Sequence, residues 1–311
     1  MDADLTAPHS QWTSARFVAP DSVTIVADVG GNPRAPTVIL MHGGGQTRHS
    51  WASTMRVLVD TGYHVINYDS RGHGESDWSA DGVYSFALRA ADLRTVLGSV
   101  DGPFALIGAS MGGITALDAV ADGLRPAAVV LVDIVLRPER SGVERVRSFM
   151  AGSPDGFANL DEAIAAVAAY NPHRPNPGDP RGLMKNLRLG SDGRLRWHWD
   201  PRLVPPDVTK DLAAMEEIIV RLSGVRGVPT LLIRGRHSDV LSDANVEDFT
   251  RYLPGAEVYD VVGAGHMVAG DSNEAFTRGV VDYLRRHLPV HIADGESETH
   301  RSAPRARSRI S

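Results

Sequence analysis

The sequence predicts an α/β fold in which helices cover both faces of a mainly parallel sheet. Three observations predict it: short apolar runs rich in β-branched residues, amphipathic stretches that alternate with them, and glycines at the joints. Nearly continuous apolar runs are typical of parallel strands that are buried on both faces. Strands that alternate with helices favour a parallel sheet, because each helix returns the chain to the edge where the previous strand began.

The strand and helix patterns occupy most of the chain. The predicted strands are Ala15–Val18, Val23–Val29, Thr37–Met41, His64–Tyr68, Phe104–Ile107, Ala128–Val132, Thr230–Arg234 and Glu257–Val262. The predicted helices are Ser50–Thr61, Ser85–Val100, Gly112–Asp122, Asp211–Leu222, Asp243–Tyr252 and Asn273–Leu288. Several joints carry a glycine, as breaks between such elements commonly do.

The middle of the chain breaks this alternation. From about Arg137 to Lys210 the strand signal fades, and helical pieces appear at Val143–Met150 and Asp161–Ala169. A long insertion of this kind is typical of a cap that shapes a pocket and excludes water from a site. Its aromatic residues argue against a disordered loop, because disordered segments contain few aromatics.

The predicted organisation is therefore a core interrupted by a cap. We expect residues 1–136 to form the first part of the core, 137–210 a helical cap, and 211–291 the second part of the core. Residues 292–311 are rich in Ser, Glu and Arg and are predicted to form a disordered tail.

The bulk composition excludes several kinds of site and partner. The 311 residues have a net charge of −6 and no cysteine. Disulfides and thiolate metal sites are therefore impossible, and an acidic balance gives no indication of a nucleic-acid surface. The N-terminus has no apolar signal-peptide core, and the longest apolar stretch, Ala127–Leu136, is too short to span a bilayer. We expect a soluble cytoplasmic protein that binds a small molecule and uses neither a metal nor an organic cofactor.

A serine motif follows the predicted strand FALI. It reads Gly108-Ala109-Ser110-Met111-Gly112-Gly113 and opens the helix ITALDAV. This is the G-x-S-x-G pattern in its strand–turn–helix setting, where a strained turn exposes the hydroxyl and requires small neighbours. The helix N-terminus behind the serine offers free N–H groups to a developing oxyanion. The motif therefore predicts that Ser110 is a nucleophile.

A glycine-rich loop, His42-Gly43-Gly44-Gly45, follows the strand TVILM. Backbone N–H groups in such a loop can approach a carbonyl oxygen closely, because no side chain stands in the way. Together with the N–H of Met111, this loop is a candidate oxyanion hole.

In this order and context, the two motifs resemble those of the α/β-hydrolase family. The resemblance runs from about Val23 to Leu288, less the cap. It implies an α/β-hydrolase fold, with a mostly parallel eight-stranded sheet, helices on both faces and a helical cap insertion. It also implies that the N–H groups of Gly44 and Met111 form the oxyanion hole. The turn DSRGHGES, residues 69–76, resembles the family too, and we interpret it as structural, with Asp69 and Arg71 holding the loop.

The resemblance also implies an acid and a base, since the family carries the serine, the acid and the histidine in that chain order. His266 follows the strand AEVYDVV, and Asp239 follows LLIRG. We expect His266 to be the base and Asp239 the acid that orients it. Asp133, at the end of VVLVD, is an alternative acid, because some family members place the acid after that strand. We interpret His237 as a loop residue.

The implied reaction is acyl transfer, in which Ser110 attacks a carbonyl carbon while His266 takes its proton. The turn and the cap also resemble epoxide hydrolases and haloalkane dehalogenases, but those enzymes use an aspartate nucleophile. Esterases, lactonases, perhydrolase-type haloperoxidases and C–C bond hydrolases remain. We predict an ester or a lactone as substrate, because this reaction needs the fewest additional groups.

The predicted substrate is small to medium in size and largely apolar. The candidate pocket residues are Gly43, Tyr170, Trp197, Trp199 and Met267. The alternative for the tryptophans is that they only pack the cap onto the core. A non-catalytic receptor for small ligands is the alternative from another functional class, although a complete triad and oxyanion loop argue against it.

Overall fold

The computed structural model describes residues 12–170, 180–204, 209–266 and 274–290. The strands are β1 (Trp12–Val18), β2 (Thr24–Gly30), β3 (Thr37–Met41), β4 (His64–Tyr68), β5 (Phe104–Ala109), β6 (Ala128–Val132), β7 (Leu187–Leu189), β8 (Leu195–Trp197), β9 (Thr230–Gly235) and β10 (Glu257–Val261). The α-helices are α1 (Ala52–Asp60), α2 (Phe86–Leu97), α3 (Met111–Ala121), α4 (Arg140–Ala151), α5 (Leu160–Tyr170), α6 (Pro180–Leu183), α7 (Thr209–Leu222), α8 (Asp243–Tyr252) and α9 (Glu274–His287). Each strand predicted from the sequence has its counterpart in the main sheet.

Within the described residues, the main sheet has eight strands in the order β1-β2-β4-β3-β5-β6-β9-β10. β1 and β2 join it antiparallel, and the pairs from β4 to β10 are parallel. The predicted mostly parallel sheet is therefore confirmed. The chain passes from β3 outward to β4 and then returns to the other side of β3 as β5. Such a reversal opens a crevice at the carboxyl ends of the strands, where ligands bind in open α/β sheets.

The hydrophobic core lies on both faces of this sheet. On one face α2, α3, α7 and α8 bury residues such as Leu93, Leu117 and Phe249. On the other face α1 and α9 bury Met55 and Tyr283, among others. Every residue of β3, β4 and β6 is buried. This burial explains the continuous apolar runs of these strands, because neither side of them faces water.

The segment 137–210, which we call the cap, lies in the chain between β6 and β9. Its described part contains α4 and α5, where the sequence predicts helical pieces. It also contains the short helix α6 and an antiparallel hairpin of β7 and β8, which the sequence pattern does not predict. Each of these strands has three residues, and the turn between them contains Gly193 at φ +79°. Strands this short are below the length at which alternation of apolar and polar residues becomes visible.

The cap has a small aromatic core of its own, formed around Phe157, Trp197 and Trp199. The predicted tail, residues 292–311, lies outside the described residues, as does Met267. Among the helices of the described ranges, none is both long and apolar enough to cross a membrane.

Candidate active site

Ser110 stands at the sharp turn between β5 and α3. Its backbone has φ 45° and ψ −113°, a conformation that costs a residue with a side chain on the order of 1–3 kcal/mol. The N–H groups of Gly113 and Ile114 donate to the Ser110 carbonyl at 2.9 and 3.1 Å, and the Ser110 N–H donates to the Val132 carbonyl at 3.1 Å. These bonds hold the strained turn in place and keep the serine at the carboxyl edge of the sheet.

The glycines around Ser110 are required by close backbone packing. A Cβ on Gly108 would lie 2.4 Å from the backbone of Gly112, and one on Gly112 would lie 2.4 Å from the Met41 carbonyl oxygen. A Cβ on Gly113 would lie 2.4 Å from a methyl carbon of Ile134. The turn therefore packs directly against β3 and against the chain that follows β6, which places these three strand ends around the serine.

The glycine-rich loop after β3 lies against Ser110. A Cβ on Gly43 would lie 3.3 Å from the Cβ of Ser110. The Gly43 N–H donates to Gln46 Oε1 at 3.0 Å, and the Gly45 N–H donates to His73 Nε2 at 3.2 Å. Gly44 lies between these two anchored residues, so its N–H is the candidate donor to an oxyanion beside Ser110.

Buried neutral histidines hold this loop. His42 Nε2 accepts the Ser70 N–H at 2.9 Å, which leaves Nδ1 to donate to the Gly43 carbonyl at 2.8 Å. Burial lowers the pKa of His42 and lowers the pKa of His73 well below its ordinary value. Because a protonated ring has no acceptor nitrogen, a lowered pKa keeps His42 and His73 able to accept backbone N–H groups.

The turn of residues 69–76 is held by the side chains of Asp69 and Arg71. Asp69 accepts the N–H groups of Arg48 and Glu75 at 2.7 and 2.9 Å. The guanidinium of Arg71 forms a bidentate pair with Asp92, with both distances 2.6 Å. These contacts agree with the structural interpretation of the two residues. The Asp69 carboxylate binds backbone N–H groups of the turn and of Arg48, and Arg71 is held by a buried ion pair.

His266 pairs with Asp133. Its Nδ1 donates to Asp133 Oδ2 at 2.7 Å, and the two side chains are 8% and 0% exposed. The same carboxylate accepts the Gly235 N–H at 3.0 Å and the Ser238 hydroxyl at 2.5 Å. Three donors therefore hold the Asp133 carboxylate in one orientation. With Nδ1 engaged, the nitrogen that remains to take a proton from a nucleophile is Nε2.

Asp239 lies elsewhere. Its Oδ2 is 2.6 Å from Arg145 Nε on α4, and its side chain is 38% exposed. The expectation that Asp239 contacts the base was therefore wrong, and the alternative acid, Asp133, occupies that position. Asp133 is the first residue after β6, next to the strand that carries Ser110, and its φ of 51° turns the side chain toward His266.

A profile described as the alpha/beta hydrolase family matches residues 38–278. The chain belongs to the α/β-hydrolase family. It is 32% identical over 264 residues to esterase Rv0045c of Mycobacterium tuberculosis, a match that covers 80% of this chain and 83% of the relative. A solved structure of that esterase superposes with a TM-score of 0.69 at 27% identity, covering 89% of this chain and 93% of that one.

Two further matches show how widely this α/β-hydrolase fold is shared. Epoxide hydrolase A of Mycobacterium tuberculosis is 26% identical over 318 residues, which covers 86% of this chain and 96% of the relative. An α/β hydrolase from Novosphingobium aromaticivorans superposes with a TM-score of 0.74 at 23% identity and covers 90% of this chain and 100% of that one. The second likeness concerns the fold alone.

The aromatic residues predicted to line the hydrolase pocket lie in the cap. Trp197 and Trp199 stack on each other with ring centroids 4.8 Å apart, and Phe149 stacks on Tyr170 at 4.3 Å. Trp199 also reaches the glycine-rich loop, where a Cβ on Gly45 would lie 3.4 Å from its ring. Trp197 and Tyr170 thus pack within the cap, and Trp199 joins the cap to the candidate oxyanion loop.

Sequence reasoning missed several residues of the site. His73 and Ser238 were read only as parts of loops, and Met150 only as the end of a cap helix. The signal for Ser238 was its position directly before Asp239, in the loop that the family uses near the base. Within the part of the chain that the structure describes, no group of three or more His, Asp or Glu is arranged to hold a metal ion.

Proposed function

We propose that this chain is a serine hydrolase that cleaves small to medium, largely apolar carboxylic esters or lactones. Ser110 is the nucleophile, His266 the base and Asp133 the acid. One observation carries the proposal: the 2.7 Å bond from His266 Nδ1 to the buried Asp133, at the sheet edge where Ser110 occupies a strained strand-to-helix turn. A named esterase among the relatives supports the ester as substrate.

The mechanism follows from this arrangement. Ser110 Oγ attacks the carbonyl carbon while His266 Nε2 takes the hydroxyl proton, and Asp133 stabilises the imidazolium that forms. The tetrahedral oxyanion is stabilised by the N–H groups of Gly44 and Met111. His266 then protonates the alkoxide oxygen as its bond to the carbonyl carbon breaks, and the alcohol departs from an ester or remains on the acyl chain of a lactone. Water, deprotonated by the same His266, attacks the acyl-enzyme. His266 returns this proton to Ser110 Oγ as the acyl–oxygen bond breaks, which releases the acid and free Ser110.

The N–H of Met111 suits this role because of its place in the fold. Met111 is the first residue of α3, and the first N–H groups of a helix have no partner within the helix. The positive end of the helix dipole adds to the stabilisation of negative charge at this point. Gly44 approaches from the loop after β3, so the two donors come from neighbouring strand ends.

The nucleophile distinguishes this proposal from the activity of the epoxide hydrolase relative. In an epoxide hydrolase that uses an aspartate nucleophile, the carboxylate attacks an epoxide carbon and forms an alkyl ester. In this chain the corresponding residue is Ser110, whose nucleophile is a hydroxyl. The perhydrolase and C–C hydrolase alternatives use the same triad. Only the substrate that is turned over distinguishes them from an esterase or lactonase.

The test is hydrolysis of a panel of p-nitrophenyl esters and lactones by the wild type and by Ser110→Ala. We expect Ser110→Ala to lower kcat by roughly 10⁴- to 10⁶-fold, because no other group replaces the nucleophile. Ser53→Ala is the matched control, since Ser53 is an exposed serine on α1, and it should match the wild type. Turnover by Ser110→Ala close to the wild-type rate would contradict the assignment.

A further inference from the structure

The cap contains a cavity of about 270 Å³. Its walls include the rings of Trp78, Trp197 and Trp199, together with Met150, Arg188 and Leu189. Most of this lining is apolar, as in pockets that bind small organic ligands. The cap side chains and Trp78 of the core therefore leave an unfilled space beside these stacked rings.

Met150 separates this cavity from the candidate oxyanion loop. On the side of the loop, a Cβ on Gly44 would lie 3.3 Å from Met150 Sδ, and one on Gly45 would lie 3.3 Å from Met150 Cγ. On the other side, Met150 lines the cavity. Met150 thus contacts both the loop that carries Gly44, the proposed oxyanion donor, and the empty space in the cap, and Trp199 lies beside it on both sides.

The backbone of Met150 is anchored, whereas its side chain is of the most adaptable type. The Trp199 indole N–H donates to the Met150 carbonyl at 3.2 Å, which fixes the end of α4 to the aromatic core of the cap. Methionine is unbranched, and its three rotatable bonds let it refill irregular spaces at low cost. Rotation of the thioether is therefore a low-cost movement that would widen the space beside Gly44 toward the cavity.

The charges around the cavity limit what it accepts. The guanidinium of Arg188 lies 5.4 Å from the Trp78 ring centroid and donates to the Gly74 carbonyl. Arg196 pairs with Asp192 at 2.7 Å. A cationic group entering the cavity would meet these guanidinium groups, so the arrangement disfavours ammonium-bearing substrates, while the aromatic and aliphatic lining favours an apolar group.

We infer that this cavity is the acyl-chain subsite of the enzyme, and that Met150 is the movable wall that opens it. The inference rests on the proposed function. The substrate class it assigns is an ester whose acyl group is an uncharged, medium-length alkyl chain or a single aromatic ring. An acetyl group is small enough to react without displacing Met150, whereas a longer chain must displace it.

The test compares p-nitrophenyl acetate with p-nitrophenyl octanoate. Met150→Ala removes the wall, so we expect the ratio of kcat/KM for octanoate over acetate to rise roughly tenfold, within the range that hydrophobic pockets reach in discriminating chain length. Met184→Ala is the matched control, because Met184 also lies in the cap but is 44% exposed. This control should leave the ratio unchanged.

A second variant tests the same wall in the opposite direction. Met150→Phe replaces a flexible side chain by a rigid ring, and we expect it to lower the octanoate-to-acetate ratio, with melting temperature as the check on folding. An unchanged ratio in whichever Met150 variant folds would overturn the inference. Failure of the proposed function is a different result, in which the wild type shows no Ser110-dependent turnover of either ester.

Discussion

Two neighbouring strands, β6 and β9, end close to His266, and each is followed by an aspartate, yet His266 pairs with only one of them. Asp133 is the first residue after β6 and is fully buried. Asp239 lies in the loop beyond the end of β9 and pairs with Arg145 of the cap. A residue directly at the end of a buried central strand has its direction set by the sheet. The direction of a loop residue depends on what packs against the loop.

What packs against the loop after β9 is the start of α4. A Cβ on Gly142 would lie 2.4 Å from the Asp239 carbonyl oxygen, and the Glu139 N–H donates to the Val240 carbonyl at 2.8 Å. As a result of this close contact, the Asp239 side chain pairs with Arg145 on α4, while the Ser238 hydroxyl donates to Asp133 in the core. The loop therefore supplies a hydroxyl where the sequence motif suggested a carboxylate.

The hydroxyl of Ser238 has a defined direction. Its oxygen accepts the Val240 N–H at 3.1 Å, so its proton remains available for Asp133 Oδ2. A donor on the same oxygen that receives His266 Nδ1–H limits rotation of the carboxylate. The two strand ends thus contribute differently: β6 provides the charge, and the loop after β9 keeps it in position.

The largest effect that tests this comparison is expected for Asp133→Asn. The amide cannot hold His266 in the tautomer that leaves Nε2 free, and we expect kcat for p-nitrophenyl acetate to fall by about 10³- to 10⁴-fold. Steady-state kinetics, with Asp239→Asn assayed in parallel, measure it. If Asp133→Asn stayed active while Asp239→Asn lost activity, the roles of the two strand ends would be the reverse of those proposed here.

A smaller effect is expected for Ser238→Ala. Removal of one of the three donors to Asp133 leaves the carboxylate freer to rotate, and we expect kcat to fall by roughly 10-fold, the equivalent of a hydrogen bond to a charged group. Ser238→Thr retains the hydroxyl and should restore most of the activity. Equal activity in the alanine and threonine variants would show that the hydroxyl does not position the acid.

The smallest effect is expected for Asp239→Asn. Its partly exposed ion pair with Arg145 contributes about 0.2–1 kcal/mol to the free energy of unfolding, and the residue does not contact the base. We expect esterase activity close to that of the wild type and a small decrease in melting temperature, measured by thermal denaturation. Arg145→Gln should produce a similar decrease, and combining the two changes should add little, because either one breaks the same pair.

Much of the fold and part of the site could be predicted from the sequence. The central strands of the main sheet are short, nearly continuous apolar runs, and their burial on both faces makes them recognisable without knowledge of their partners. The position of Ser110 on the turn was equally predictable, because Gly108, Gly112 and Gly113 are needed for local backbone packing. The β7–β8 hairpin was missed, since its strands are too short to show a pattern.

The sequence by itself determined the sheet, the strained turn at Ser110 and the glycine-rich loop beside it, because these depend on local backbone conformation and on continuous apolar runs. Only the tertiary structure paired His266 with Asp133 and not with Asp239, directed the Ser238 hydroxyl to Asp133 and placed Met150 against Gly44. Each of these depends on contacts between residues far apart in the chain. Such contacts are set by how the strand ends of the core meet one another and how the cap packs on them, which no local pattern encodes.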